Sequence, residues 1–256
     1  MNFSENFSTQ ENKIQNKIQN KSKMSVIVRK ATEEDCDFIG KIWYQSLESH
    51  LAVGILGSAF PTLSIDEHYK ILSLFASGKF EVKSKAGVPS ALHWKWCIIA
   101  EVDGKPAAAM SCFSDLEGDF EETLFTGTAP VLIELYGEKK GMELHRSWVK
   151  VLTGVFYGIL NFIKEPEDPR FHTEFIGCLP EFRRRGALRA LMKRGFEIGE
   201  EKGFKTATLA LFEHNIPAKK AYEKAGFVEV FTMRYPQLQD VVSDTGFTLM
   251  VAPLDK

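Results

Sequence analysis

Closely spaced metal ligands, long apolar runs and an excess of one charge are all missing from this 256-residue sequence. Its four cysteines form no C-x-x-C pair and its six histidines no H-x-x-x-H pair, so neither a disulfide framework nor a metal site is expected, and a reducing cytoplasm fits. No apolar run is long enough to span a bilayer, and the N-terminus lacks the pattern of a secretion signal. The net charge of −2 gives no overall attraction to nucleic acid or to an anionic membrane. We therefore expect a cytoplasmic protein that binds neither.

The composition, 44% hydrophobic and 26% charged, is typical of a globular protein with ample core. Residues 1–23 differ from the rest because they are polar and repetitive, which predicts a disordered tail. A short helix that folds on a partner is the alternative, and Met24 is a candidate physiological start. Residues 24–256 are expected to form a single domain.

Hydrophobic periodicity and turn signals predict mixed strands and helices without the strict alternation of a doubly wound fold. Strands are expected at residues 26–29, 171–179, 205–212, 228–234 and 246–252, together with a hairpin at 95–113 that turns at Asp103-Gly104. Helices are expected after Thr32 (with Asp35 completing a capping-box variant), after Ser64, after Gly186 and after Asn215. Residues 49–62 are expected to form a loose segment.

Residues 115–165 form an expected helical insertion. It opens with an acidic run at 115–122, which either attracts a cationic amine or is simply a solvated loop. It closes with an amphipathic helix at 144–164 that Pro166 ends. The wide apolar face of that helix suits packing on the domain or a homodimer.

A basic turn lies between a strand and a helix in the segment P-E-F-R-R-R-G-A-L-R-A-L, residues 180–191. The first N–H groups of a helix have no partner within it and attract phosphate. Gly186 lets the backbone approach a ligand closely, and the guanidinium groups of Arg183, Arg184 and Arg185 match phosphate oxygens. The segment therefore predicts a site for a phosphorylated cofactor, with a solvated basic surface as the alternative.

Two motifs together resemble the GNAT superfamily of acetyl-CoA-dependent N-acetyltransferases. The first is R-x-x-G-x-L, residues 183–188, directly after a strand that ends I-G-C-L-P-E. The second is N-x-x-A-x-x-x-Y-x-x-x-G-F, residues 215–227. The resemblance covers about residues 25–114 and 170–252. It implies a GNAT-like α/β fold, in which a central mixed, mostly antiparallel sheet is flanked by helices.

The resemblance also implies acetyl-CoA as cosubstrate and no metal. It places the cofactor against Cys178, Leu179, Arg183, Arg184, Arg185, Gly186, Ala187, Leu188, Asn215 and Ala218. Leu188 departs from the family pattern, which has Gly or Ala there, so its side chain must point into the core. The family uses Asn215 to bond the pantetheine arm, although an asparagine here also suits a helix N-cap.

Tyr222 stands where the family has the acid that protonates the leaving thiolate, and a core tyrosine is the alternative. The base is left open between His172 and Glu174, or no side chain at all. Strand alternation places both on one face with Ile176 and Cys178. An acyl-enzyme on Cys178 is conceivable, but a small buried core residue accounts for this cysteine equally well.

The sequence therefore predicts an N-acetyltransferase that acts on a small-molecule or peptide amine by direct attack on the thioester. A non-catalytic acyl-CoA-binding module is the main alternative. A nucleic-acid-binding role for the arginines is disfavoured by the acidic net charge and by the lack of interleaved basic and aromatic residues.

Overall fold

A computed structural model describes residues 25–80, 89–114, 116–117, 124–163 and 170–254, with side chains omitted for 157–163. The predicted tail, most of the acidic run and Pro166 lie outside this range. The strands are β1 (Val26–Lys30), β2 (Cys97–Val102), β3 (Lys105–Ser114), β4 (Phe171–Cys178), β5 (Thr206–Phe212), β6 (Val228–Arg234) and β7 (Gly246–Pro253). The helices are α1 (Cys36–Glu48), α2 (Ile55–Ala59), α3 (Ile65–Ser77), α4 (Thr128–Ile163), α5 (Ala187–Glu201), α6 (Ile216–Ala225) and α7 (Pro236–Gln239).

The strands form one sheet in the order β1-β2-β3-β4-β5-β7-β6. Every neighbouring pair is antiparallel except β4 and β5, which run parallel. The expected mixed, mostly antiparallel sheet is thereby confirmed. The parallel pair is short, because only Phe171 and His172 of β4 are paired with β5. Beyond these two positions the strands separate, and this opening is called the β4–β5 gap below.

Hydrophobic side chains fill both faces of the sheet. On the first, the α1 face, Ile42 and Trp43 of α1 and Trp148 of α4 are buried in one cluster with Phe175 of β4. On the other, the α5 face, the second cluster includes Met110, Leu191, Leu209 and Tyr222. The two faces of the sheet are covered by different helices, and the β4–β5 gap lies between them.

The predicted helix starts are confirmed by their hydrogen bonds. Asp35 accepts from the Thr32 N–H at 2.8 Å, and a single 3-10 turn leads from there into α1. Ser64 and Glu67 form the reciprocal capping box of α3, since each backbone N–H donates to the other side chain, at 2.8 and 3.3 Å. These local bonds fix where the two helices begin.

The predicted hairpin turn is confirmed, because Asp103 and Gly104 both have positive φ (52° and 76°). Two other expectations need correction.

Residues 49–62 were expected to be a loose segment, but they contain the short helix α2. The N–H groups of Leu56 and Gly57 in this helix donate to the Glu48 carboxylate.

The span Thr128–Ile163 consists of two helical segments separated by non-helical backbone at Gly137. The amphipathic helix therefore begins after Gly137, a few residues before the expected 144, and a further helical segment precedes it. The backbone at Gly137 (φ 77°, ψ 164°) is open only to glycine, and it breaks the apolar periodicity that marks the rest of α4. The helix packs on the domain, where Ser147 donates to the Ala59 carbonyl at 2.7 Å and Tyr136 to Glu67 at 3.2 Å. None of the described helices is both long and apolar enough to cross a membrane.

Candidate active site

A β-bulge in β4 shapes the β4–β5 gap. Glu174 is paired with Ser111 and Gly177 with Ala109, so two residues of β4 stand opposite the single residue between those partners. The bulge includes Phe175, whose φ is +50°. Such a bulge bends the strand and ends its regular pairing, which accounts for the separation of β4 from β5.

The bulge also changes which face each side chain occupies. Phe175 packs against Trp43 on the α1 face, with ring centroids 5.5 Å apart. Ile176 and Cys178 pack against the α5-face cluster instead. Paired residues of an antiparallel ladder project to the same face, which leaves Glu174 on the α1 face with Ser111. The prediction that His172, Glu174, Ile176 and Cys178 share one face is therefore wrong.

Glu174 lies where β4 has left β5. Burial raises the pKa of its carboxyl group from 4.5 to about 8, although a hydrogen bond from the Ala210 backbone of β5 opposes this rise. The group therefore changes charge close to neutral pH, which suits proton transfer.

Tyr222 lies on the opposite, α5 face of the sheet. It lies two turns into α6 and is 8% exposed. Burial raises the pKa of its phenol, and the Glu174 carboxylate raises it further. Its ring packs in the α5-face cluster against Phe227, with centroids 6.3 Å apart. The Tyr222 phenol, which stays protonated, and the Glu174 carboxyl group, which titrates near neutral pH, therefore lie on opposite faces of the sheet.

His172 lies at the closed end of the gap, where β4 is still paired with β5. Its Nδ1 is 3.0 Å from the Thr208 hydroxyl, and its ring stacks on Phe113 at 5.4 Å. The side chain is buried. Of the two predicted bases, the structure brings Glu174 but not His172 to the open part of the gap.

The basic turn presents its backbone to solvent. Both Arg184 (φ 63°) and Gly186 (φ 89°) have positive φ, and the first helical bond is from Ala190 to the Gly186 carbonyl. Within the described chain, the six N–H groups of residues 184–189 have no backbone acceptor. The space beside Gly186 is open, because a Cβ there would meet no atom within 4 Å. Successive free N–H groups of this kind form an anion-binding concavity.

The side chains around the turn agree with this arrangement. Arg183, Arg184 and Arg185 are exposed, although Arg183 also donates to the Cys178 carbonyl at 3.3 Å. Leu188 packs against the α5-face cluster, and its neighbour Ala187 is 2% exposed. The bulky residue at 188 therefore points into the core, as predicted, and leaves its N–H available.

Asn215 is the predicted N-cap of α6, since its Oδ1 accepts from the Ala218 N–H at 3.2 Å. Its Nδ2 donates to the Ser49 hydroxyl at 2.7 Å. The side chain thus ties the turn after β5 to the end of α1. Ala218 packs against the α5-face cluster, and Leu179 against the α1-face cluster.

Sequence reasoning missed a polar cluster beside Asn215. Asp244, whose side chain is fully buried, lies 2.9 Å from Nδ1 of His214 and 3.1 Å from Nε2 of His50. Glu213, His214 and Asp244 also place ligand atoms within 4.8 Å of one another, close enough to hold a metal ion. Glu213, however, already accepts from Arg234 and Thr245. No motif marks the cluster, because its members come from three distant segments.

The chain matches known proteins in two ways. The family model described as "Acetyltransferase (GNAT) family" matches residues 119–227, a range that contains both sequence motifs. An N-acetyltransferase from Staphylococcus aureus Mu50 has the same fold, with a TM-score of 0.58, 17% identity, and coverage of 88% of this chain and 100% of that one.

A polyamine N-acetyltransferase from Drosophila melanogaster, which forms N-acetylagmatine, is also similar. Its TM-score is 0.52 at 14% identity, over 90% of this chain and 100% of that one. No curated protein matches the chain in sequence. At these identities, the similarity to the solved structures concerns the fold alone.

Proposed function

Because residues 119–227 match the model of the GNAT family of acetyltransferases, which use acetyl-CoA, we propose that the chain transfers an acetyl group from acetyl-CoA to a primary amine by direct attack on the thioester. The resemblance in the two motifs is confirmed by this match, and so is the expected enzyme class. The observation that carries the reaction is that Glu174 and Tyr222 lie on opposite faces of the sheet and that the charge of Glu174 affects the Tyr222 phenol.

We assign the diphosphate of acetyl-CoA to the backbone between Arg184 and Arg189. Six N–H groups without backbone acceptors and the open space beside Gly186 fit an anion, and the arginines add charge. The full set proposed to contact the cofactor is Cys178, Leu179, Arg183, Arg184, Arg185, Gly186, Ala187, Leu188, Asn215 and Ala218. Asn215 would exchange its bond to Ser49 for one to the pantetheine arm.

The chemistry follows from the two faces. The amine enters on the α1 face in its neutral form. Ionised Glu174 accepts one N–H proton as the nitrogen bonds to the thioester carbon and the carbon–sulfur bond breaks. Tyr222, kept protonated by its raised pKa, donates to the departing thiolate from the α5 face. Glu174 then releases its proton to solvent, and the phenolate left on Tyr222 regains one from solvent. His172 is the second candidate for the base, although Thr208 already engages its Nδ1.

An acyl-enzyme on Cys178 is not part of this reaction. Burial raises the pKa of the Cys178 thiol, which disfavours the thiolate that would attack. The side chain packs on the α5 face, away from the entry side of the amine. The structure therefore favours direct attack over a covalent intermediate.

The acceptor proposed is a small-molecule or peptide amine, in a protein that works in the cytoplasm and binds neither nucleic acid nor membrane. Agmatine and polyamines belong in the first screen, because the similar Drosophila enzyme forms N-acetylagmatine. A homodimer remains a prediction.

The test is calorimetric titration of acetyl-CoA into the chain and its Gly186→Glu variant, followed by an amine screen for thiol release. The glutamate adds bulk and negative charge beside the free N–H groups, so binding should be lost. Gly203→Glu is the matched control, because Gly203 is an exposed, positive-φ glycine at the opposite end of the same helix, with no atom within 4 Å of its Cβ position.

Equal binding by both variants, or no binding by the unmodified chain, would refute the cofactor site. Binding without thiol release from any amine, and no effect of Tyr222→Phe, would identify a non-catalytic acyl-CoA-binding module instead.

A further inference from the structure

β6 forms one open edge of the sheet. It is the last strand in the order β1-β2-β3-β4-β5-β7-β6, so its backbone is paired on the β7 side alone. Within the described residues, no backbone hydrogen bond joins β6 to any element besides β7. The N–H and C=O groups that point away from β7 therefore have no backbone partner in this part of the chain. A row of such groups is a template on which another strand can pair.

A β-bulge separates one residue of β6 from the ladder with β7. Glu229 is paired with Met250 and Phe231 with Leu249, so Val230 stands between them without a partner in the register. The extra residue of a bulge is left unpaired in this way. Val230 is also exposed, so both its backbone and its side chain are available to a partner at the edge.

Two large hydrophobic residues are exposed on this strand. Val228 is 59% and Val230 is 51% exposed, whereas every other described helix or strand has at most one large hydrophobic residue that is exposed. Single exposed apolar residues are ordinary on a protein surface, but two on one open strand form an apolar strip beside unpaired backbone. We call Val228 and Val230, together with the outward backbone groups of residues 228–234, the β6 edge. Covering it would remove apolar area from water.

Both charged side chains of β6 are already paired within the chain. Glu229 forms an ion pair with Lys219 of α6, and Arg234 forms one with Glu213. Exposed lysines commonly protect sheet edges, and β1, the strand at the opposite edge, ends in exposed Lys30. β6 contains neither lysine nor proline. The β6 edge therefore lacks the residues that usually keep a second strand away.

We propose that the β6 edge pairs with the β6 edge of a second copy of this chain, in antiparallel orientation. Two identical strands are self-complementary when they run antiparallel, because one two-fold axis relates both sides of the contact. The charges favour this orientation. Glu229 lies near the start of β6 and Arg234 at its end, so the negative end of each strand faces the positive end of the other.

The size of the β6 edge sets the strength of the contact. β6 has seven residues, so its backbone pairing and the two valines of each copy make a small interface of the kind found in transient complexes. We therefore expect a dimer whose population depends on protein concentration. The contact is independent of the proposed acetyl transfer, because neither Glu174 nor Tyr222 lies on β6.

The first experiment measures the mass of the full chain by sedimentation equilibrium over a range of concentrations. We expect twice the monomer mass at the highest concentrations. Val230→Lys brings an unpaired charge from each copy into the contact, so the dissociation constant of the dimer should rise by about tenfold or more. Ile27→Lys is the matched control, because Ile27 is 58% exposed on β1 at the opposite edge. It should leave the dissociation constant unchanged.

The second experiment uses the unmodified chain and so does not depend on the folding of any variant. Amide hydrogen exchange is followed by mass spectrometry at low and at high protein concentration. Exchange in residues 228–234 should be slower at high concentration, because the outward N–H groups of β6 are then hydrogen-bonded to the second copy. Exchange in residues 26–30, on the opposite edge, should not change with concentration.

A chain that stays monomeric at every concentration would overturn the proposal and would show that the bulge alone protects this edge. The same holds for a dimer that Val230→Lys leaves intact, because its contact would then lie on another surface. Equal weakening by Ile27→Lys, or slower exchange in residues 26–30 instead of 228–234, would also contradict it. Thiol release by the same samples tests acetyl transfer separately.

Discussion

Glu174 and Tyr222 lie on opposite faces of the sheet, and the charge of Glu174 affects the Tyr222 phenol. The carboxylate adds to the rise in the pKa of the phenol, although one residue lies on a strand and the other on a helix of the opposite layer. The bulge that includes Phe175 creates this relationship, because it ends the pairing of β4 with β5. The proton acceptor for the amine and the proton donor for the leaving thiolate can then lie on different faces of the sheet.

Replacing Tyr222 with phenylalanine should slow turnover without weakening the cofactor. Phenylalanine keeps the ring that packs against Phe227 in the α5-face cluster, so the fold should be preserved. The thiolate would lose its proton donor, and we expect kcat to fall by about 10²-fold or more. Thiol release and calorimetric acetyl-CoA binding measure the two effects. An unchanged kcat would show that the tyrosine is a core residue.

Glu174→Gln should remove a pH dependence as well as activity. Because the pKa of Glu174 is raised to about 8, the base is ionised only as pH approaches and passes that value, and kcat/KM should rise through it. The glutamine variant should lose this rise. A profile that stays the same in the variant would assign the rise to another group.

The same substitution has a stability signature. Since the folded pKa lies above the ordinary 4.5, the native state retains a proton that the unfolded chain releases between these values. Glu174 therefore contributes stability that is present below pH 4.5 and is lost as pH rises through about 8. Urea unfolding should show the unmodified chain losing stability over this range and Glu174→Gln losing less.

Much of the fold could be predicted because its signals are local. Thr32 with Asp35, Ser64 with Glu67, and Asp103 with Gly104 each act within four residues, and the structure confirms all three. The helical segment of α4 before Gly137 was missed because the non-helical backbone at this glycine separates it from the amphipathic segment that was predicted. The segment before Gly137 lacks a recognisable apolar repeat, but contacts with the rest of the domain, such as that of Tyr136 with Glu67, support it.

The candidate site was only partly predictable, for a different reason. Tyr222 and the free N–H groups follow from motifs, whereas the bulge in β4 depends on pairing with Ser111, more than sixty residues away. Regular alternation of side chains along β4 would place Cys178 and Glu174 on the same face of the sheet, but the bulge places them on opposite faces. The bonds from Asp244 to His50 and His214 depend on three segments meeting in space, and no spacing in the sequence records that.

Arg185→Ala should weaken acetyl-CoA binding by about tenfold or more, since a hydrogen bond to a charged group contributes roughly 1.5–3 kcal/mol. The dependence of affinity on salt should fall too, because one positive charge is removed from the phosphate site. Lys193→Ala on the same helix is the control, because its side chain is 80% exposed and pairs with Glu197 on the helix surface. If both variants bind equally well, the backbone rather than the arginine supplies the affinity.

Asp35→Asn should destabilise the domain at neutral pH. The Asp35 side chain is 9% exposed. Its carboxylate accepts hydrogen bonds from both terminal nitrogens of Arg29, each at 2.8 Å, and from the Thr32 N–H. Asparagine keeps the size but removes the charge, which leaves the Arg29 guanidinium poorly matched. We expect a loss of about 1–3 kcal/mol in the free energy of unfolding, measured with urea.

The way in which the free energy of unfolding depends on pH distinguishes a charge effect of Asp35 from an effect of its shape. Arg29 holds the pKa of Asp35 below 3.8, so the stabilisation is present above that value and is lost as pH falls through the lower, folded value. The difference between Asp35→Asn and the unmodified chain should therefore shrink in acid. Glu34→Gln, at an exposed neighbouring carboxylate, should show little effect at either pH. A difference that persists in acid would mean that Asp35 acts through shape rather than charge.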